Sequence, residues 1–178
     1  MERSVIIAGF GGQGVILAGK ILAQAGMDHG LAVTWLPSYG PEMRGGTANC
    51  TVVLSEEQVG SPIVDAPTTL IAMNLPSLDK FEPIVATGGT IVVNRSLAER
   101  SVARDDVQVA SVPLNELAAK IGSARAINMV ALGAYIKATG VVSLETVTAA
   151  MTKMLEKDGK GKFVPMNRRA LQEGYNAV

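Results

Sequence analysis

Val5-Ile6-Ile7-Ala8-Gly9-Phe10-Gly11-Gly12-Gln13-Gly14-Val15-Ile16-Leu17-Ala18-Gly19-Lys20 is the stretch on which the reading of this chain turns. An apolar run suited to a buried strand enters a turn with four glycines in six positions, and a helical pattern leaves it. Without β-carbons at those positions, a ligand or a second backbone approaches closely. A turn at the start of a helix also offers free N–H groups and the positive end of the helix dipole to an anion. The glycines match G-x-G-x-x-G at Gly9, Gly11 and Gly14. A nicotinamide site needs, in addition, an acidic residue about twenty positions on, at the end of the second strand. Here that strand ends in Trp35-Leu36-Pro37, and Asp28 lies before it. No Gly-Lys-Ser/Thr follows the turn, so the phosphate-binding P-loop fails as well.

Working outward, apolar β-rich runs alternate with helical patterns. The strands are predicted at Ser4–Ala8, Leu31–Leu36, Thr47–Leu54, Thr68–Met73, Thr90–Asn94 and Val107–Val112. The helices are predicted at Val15–Asp28, Ser77–Phe81, Leu114–Ile121, Ile127–Ala138, Leu144–Leu155 and Arg168–Tyr175. This order specifies an α/β fold: a single three-layer, Rossmann-like domain over residues 1–178, with helices on both faces of a mostly parallel sheet. One connection breaks the parallel pattern. Strands two and three are joined only by Pro37–Gly46, whose two prolines and three glycines leave no room for a crossover helix. The third strand is therefore expected to be antiparallel and the sheet mixed.

In such sheets ligands meet the carboxyl ends of the strands. The Gly9–Gly14 turn and the Pro37–Gly46 loop both leave carboxyl ends, so they are expected on one rim. Within the loop, Arg44 offers a planar fork of donors for phosphate or carboxylate, and Glu42 can hold it. The plain alternative is a Glu42–Arg44 surface pair. Asn74 and Asn94, at the ends of strands four and five, read as helix caps or turn residues. Cys50 falls on the face of strand three shared by Ala48, Val52 and Leu54, which predicts a small buried core residue. Helix Ile127–Ala138 places Ile127, Val130, Ala131 and Ala134 on one face, and Gly133 within it predicts a close neighbour. The charged stretch Glu156–Lys162 reads as a solvated loop.

Composition excludes several function classes. Sixteen basic and sixteen acidic residues give a net charge of zero, against the basic excess that nucleic acid or an anionic membrane demands. Aromatics make up 4%, too few for a base-stacking platform. No apolar stretch is long enough to span a bilayer, and no signal-peptide pattern is visible. One cysteine excludes an internal disulfide and an iron–sulfur cluster held by this chain alone, and predicts a cytoplasmic location. His29, the single histidine, reads as a helix-terminal residue without partner ligands. No catalytic residue and no metal site is assigned.

Gly9-Phe10-Gly11-Gly12-Gln13-Gly14-Val15, then Ser38-Tyr39-Gly40-Pro41-Glu42-Met43-Arg44-Gly45-Gly46, and a third segment, Asn128–Ala134, resemble the gamma subunit of the 2-oxoacid:ferredoxin oxidoreductases over essentially the whole chain. Within that family the chain is most similar to the 2-oxoglutarate type, with the branched-chain type next. The resemblance implies one subunit of an enzyme that converts a 2-oxoacid, here 2-oxoglutarate, to an acyl-CoA, CO2 and reduced ferredoxin. It implies alpha and beta partner chains, with delta as an optional fourth, and ferredoxin reached through the complex. Thiamine diphosphate, iron–sulfur cluster and magnesium are then expected on the partners, with coenzyme A as co-substrate and the isolated chain inactive. The chain would complete and stabilise the assembly. Its cofactor-contact candidates are Gly11, Gly12, Gln13, Gly14 and Arg44; its interface candidates are Ser38, Tyr39, Glu42, Met43, Gly45 and Gly46. Two alternatives remain at this level, a free-standing dinucleotide-binding oxidoreductase and a non-catalytic nucleotide-binding module.

Overall fold

The computed structural model describes residues 1–38 and 47–178. Six strands are found among them: β1 (Glu2–Phe10), β2 (Ala32–Ser38), β3 (Thr47–Ser55), β4 (Thr69–Ala72), β5 (Thr90–Asn94) and β6 (Gln108–Val112). They form one sheet in the order β2-β3-β1-β4-β5-β6. β3 runs antiparallel to both β1 and β2, while β1, β4, β5 and β6 pair in parallel. The mixed sheet expected from the short, helix-free connection is thus present, with β3 inserted between β1 and β2. β1 is buried from Ser4 to Gly9, because each face of this central strand is covered. Val5 and Ile7 join one hydrophobic cluster, and Ile6 and Ala8 the other.

The helices are α1 (Val15–Asp28), α2 (Leu75–Phe81), α3 (Leu114–Ile121), α4 (Ile127–Thr139), α5 (Leu144–Lys157) and α6 (Val164–Asn176). Two of them start earlier than the sequence reading has them. α2 begins before Ser77 and α6 before Arg168, and in each a proline, Pro76 or Pro165, occupies the first turn. Proline ends a helix from within but suits its first turn, where the missing N–H has no partner to lose.

The layers are unequal. Side chains of α1, α3, α4, α5 and α6 share one large core with Val5, Ile7, Cys50, Val52, Ile71 and Val92 of the sheet. On the other face, Leu78 and Phe81 of α2 and Val85 after it cover only the β1–β4–β5 part. Beyond that cover, Leu36 of β2 remains 44% exposed. The expectation of helices over both faces therefore holds with a thin second layer. α4 also differs from the one-faced helix expected: every residue from Ile127 to Ile136 is buried. α4 packs on β5 and β6 and is covered in turn by α6, so it has no solvent face before its last turn. Gly133 lets α6 come that close. A β-carbon there would lie 2.0 Å from the Leu171 carbonyl oxygen. The close neighbour is therefore a helix of the same chain.

The carboxyl rim of the parallel strands is stitched by side-chain amides. Asn74 caps α2, its Oδ1 accepting from Ser77 N at 2.9 Å. Asn94 is fully buried; its Nδ2 donates to Met73 O (2.9 Å) and to Asn115 Oδ1 (2.8 Å). Its Oδ1 accepts from Ser96 N and Leu114 N, both at 3.2 Å. Both asparagines are the cap and turn residues that their places in sequence suggest.

Candidate functional site

β1 and β2 point the same way, and their carboxyl ends meet the amino end of β3: Phe10 is opposite Thr47, and Ser38 opposite Asn49. The glycine turn and the segment after Ser38 therefore leave one rim, about 10 Å apart as set by two strand spacings. Pro37 and Ser38 are part of β2, so the connection is shorter than the sequence reading has it. Tyr39, Glu42, Met43, Arg44, Gly45 and Gly46 lie outside the described residues.

The turn itself is built by its glycines. Gly12 (φ 94°) and Gly14 (φ 72°) adopt the left-handed backbone that side chains resist. Gln13 N donates to Phe10 O at 3.1 Å, which closes the turn. The Gln13 side chain folds back across it, Oε1 accepting from Phe10 N (2.7 Å) and from Asn74 Nδ2 (3.1 Å). Gly9 leaves room for this; a β-carbon there would sit 2.6 Å from Gln13 Oε1. Gln13, a contact candidate by sequence, thus spends its carbonyl oxygen on the turn. On the other flank Asn128 Nδ2 donates to Gly14 O at 3.2 Å. Among the described residues no side chain caps α1, and no acidic residue stands in its first turn. The positive end of the helix dipole lies at this turn.

A cavity of about 710 Å³ adjoins this turn, lying between α1 and the end of α5. Among the described residues, Gly11, Gly12 and Gly14 line it together with Lys20, Lys153, Lys157, Lys160 and the carboxylate Asp158, and Lys153 Nζ also lies 3.7 Å from Asp28 Oδ1. The sequence reading misses these lysines. Lys20 is a lone cation in an apolar helix, and the other three sit in or near a stretch that reads as plain solvated loop. What singles them out is the packing of α5 on α1, which brings the end of one helix to the start of the other.

Elsewhere the chain offers little chemistry. His29 caps the far end of α1, roughly 20 Å from the turn by helix rise. Among the described residues no group of three His, Cys, Asp or Glu is arranged to hold a metal, and no helix is long and apolar enough to cross a membrane. Cys50 is fully buried under α1, its Sγ donating to Val15 O at 3.5 Å. Burial pushes its thiol up to about 12, so the reactive thiolate is nearly absent at neutral pH. The folded protein is expected to resist a maleimide at pH 8 and to take up one equivalent in denaturant. Stoichiometric labelling without denaturant would contradict that burial.

A family model described as pyruvate ferredoxin/flavodoxin oxidoreductase matches residues 4–177. The ketoisovalerate oxidoreductase subunit VorA of Methanothermobacter thermautotrophicus is 46% identical over 97% of this chain and 36% of its own. The 2-oxoglutarate synthase subunit KorC of Methanothermobacter marburgensis is 37% identical over 100% of this chain and 97% of its own. The chain thus spans about a third of the length of the first curated relatives it matches. Among solved structures, the keto/oxoacid ferredoxin oxidoreductase gamma subunit of Geobacter sulfurreducens superposes with a TM-score of 0.84 at 31% identity. That match covers 98% of this chain and 97% of the other.

Proposed function

The chain belongs to the pyruvate ferredoxin/flavodoxin oxidoreductase family, and from that premise we propose that it is the gamma subunit of a multi-chain 2-oxoacid:ferredoxin oxidoreductase. The observation that carries this reading is the end-to-end likeness to KorC, a chain of similar length itself named as a subunit. In the longer VorA the matching unit is about a third of one polypeptide, itself named as an oxidoreductase subunit. Alpha and beta chains, with delta where present, would carry thiamine diphosphate, magnesium and the iron–sulfur cluster. Ferredoxin would receive electrons through them in the cytoplasm.

This chain's own contribution is the rim. Ser38 and the segment holding Tyr39, Glu42, Met43, Gly45 and Gly46 dock a partner chain. Gly11, Gly12, Gln13 and Gly14, with Arg44, contact coenzyme A on its way to the reacting centre. Phosphate groups suit the start of α1, which no side chain among the described residues caps, and the lysines Lys20, Lys157 and Lys160 beside it. The 2-oxoacid is read as 2-oxoglutarate, supported by the KorC likeness; the higher identity to VorA favours a branched-chain acid as the second reading.

The test is anaerobic purification of the tagged chain from its host. Larger, iron-containing partners are expected to come with it. The complex should reduce ferredoxin in a reaction dependent on coenzyme A and a 2-oxoacid, while the isolated chain should not. A higher kcat/KM for 3-methyl-2-oxobutanoate than for 2-oxoglutarate would establish the second reading. A chain that purifies alone and reduces a nicotinamide or flavin by itself would overturn both.

A further inference from the structure

The two side-chain amides that hold the glycine turn come from distant parts of the chain, Asn74 61 residues beyond Gln13 and Asn128 114 residues beyond Gly14. Both are almost fully buried, at 1% and 5% exposure, so neither reaches a ligand directly. We propose that Asn74 and Asn128 are positioning residues, clamping the turn from its two flanks in the shape that receives an anionic ligand at its outer edge. This rests on the reading of the turn as a coenzyme A contact.

The chemistry requires an amide at position 74. Its Oδ1 is committed to Ser77 N, and only the Nδ2 end can donate to Gln13 Oε1. Gln13 cannot simply turn over to suit a different partner. Flipping its amide would set Nε2 against Phe10 N, a donor facing a donor. One arrangement satisfies all the groups, and it fixes the side chain between two strand ends. On the opposite flank the Asn128 amide fills the space where Gly14 has no β-carbon and takes hold of the Gly14 carbonyl. Gly12 lies between the clamps, with no atom within 4 Å of where its β-carbon would be. A turn fixed at both ends and open in the middle binds without first losing conformational freedom, which raises affinity without a new contact.

Asn74→Asp isolates this role. Aspartate keeps the cap on α2 as well as asparagine does, but offers Gln13 an acceptor in place of a donor. Asn128→Ala releases the other flank, and Gly12→Ala strains the turn itself. Each is made in the tagged chain and purified as the assembled complex. Hydrogen exchange is measured in the peptide spanning Gly9–Gly14, and steady-state kinetics with coenzyme A and the 2-oxoacid varied in turn. Both clamp variants are expected to exchange faster at the turn and to raise KM for coenzyme A about five- to tenfold, the span of one lost hydrogen bond. The KM for the 2-oxoacid and kcat at saturating coenzyme A should hold within about twofold. If Gly12→Ala raises KM for coenzyme A while both clamp variants leave it unchanged, the positioning role is overturned and the ligand reading stands. If Gly12→Ala leaves it unchanged too, the ligand reading falls and the positioning role with it. Should Asn74→Asp fail to assemble, Asn128→Ala decides alone.

Discussion

Gly174→Ala is expected to lower the melting temperature of the protein by about 5–15 °C, corresponding to a loss of roughly 2–4 kcal/mol. A β-carbon at Gly174 would lie 1.9 Å from the Val130 carbonyl oxygen and 2.7 Å from its carbon. Both atoms are backbone, so no rotamer change relieves the overlap; α6 must move away from α4. α4 cannot follow, because its opposite face rests on β5 and β6, and any gap opened between the two helices exposes a core packed at native density. Gly133→Ala, from the other side of the same crossing, should cost a similar amount. The pair should be less than additive, since the first substitution already separates the helices. Gly161→Ala is the control: its β-carbon would meet nothing closer than 3.6 Å, and its effect should stay within about 0.5 kcal/mol. Thermal melts followed by far-UV circular dichroism decide the matter. A Gly174→Ala protein melting within about 2 °C of the unchanged one would show that the crossing yields more easily than close packing allows.

Gly14→Ala is expected to raise KM for coenzyme A by about tenfold or more in the assembled complex, with kcat at saturating coenzyme A little changed. Two costs meet at this residue. Its φ of 72° is worth about 1 kcal/mol or more against any side chain. Its β-carbon would also sit 2.4 Å from Asn128 Nδ2, displacing the amide that holds the turn. A lost neutral hydrogen bond adds about 1 kcal/mol; both costs act on the shape that receives the ligand, so restoring that shape on binding would consume the 1.4 kcal/mol that corresponds to a factor of ten. Gly88→Ala separates backbone strain from location. Gly88 shares the left-handed backbone, at φ 75°, but precedes β5 on the opposite rim, and open space surrounds its β-carbon position. It should lose only the stability that the strain costs, about 1 kcal/mol, and leave the coenzyme A dependence untouched. An unchanged KM in Gly14→Ala would remove the turn from the coenzyme A path.

The legible parts of this molecule are those that local physics writes into neighbouring residues. The alternation of apolar runs with helical periodicity placed the six strands and six α-helices of the described residues within a few positions. Two prolines and three glycines within Pro37–Gly46 forbade a crossover helix and so dictated the antiparallel strand. Cys50 was readable as a core residue from its face of β3 alone. Starts of helices were less legible. Pro76 and Pro165 stop a helix read from its interior yet open one read from its end, and sequence by itself does not say which applies.

The site is less legible, because its parts are far apart in sequence. The glycine pattern marked a backbone shape and one rim. It gave Gln13 as a ligand contact, without the inward bonds that occupy its carbonyl oxygen. The lysines beside the turn carried no usable signal, since exposed lysines are common and their convergence depends on how α5 lies on α1.

By itself, the sequence determined the order of elements, the mixed sheet and the presence of a tight glycine turn, because each depends on interactions between residues close along the chain. Only the tertiary structure decided which amides grip that turn, why Gly133 and Gly174 must lack side chains, and which cations surround the opening. Those are contacts across tens to more than a hundred residues, and packing in three dimensions, which periodicity cannot record, selects them.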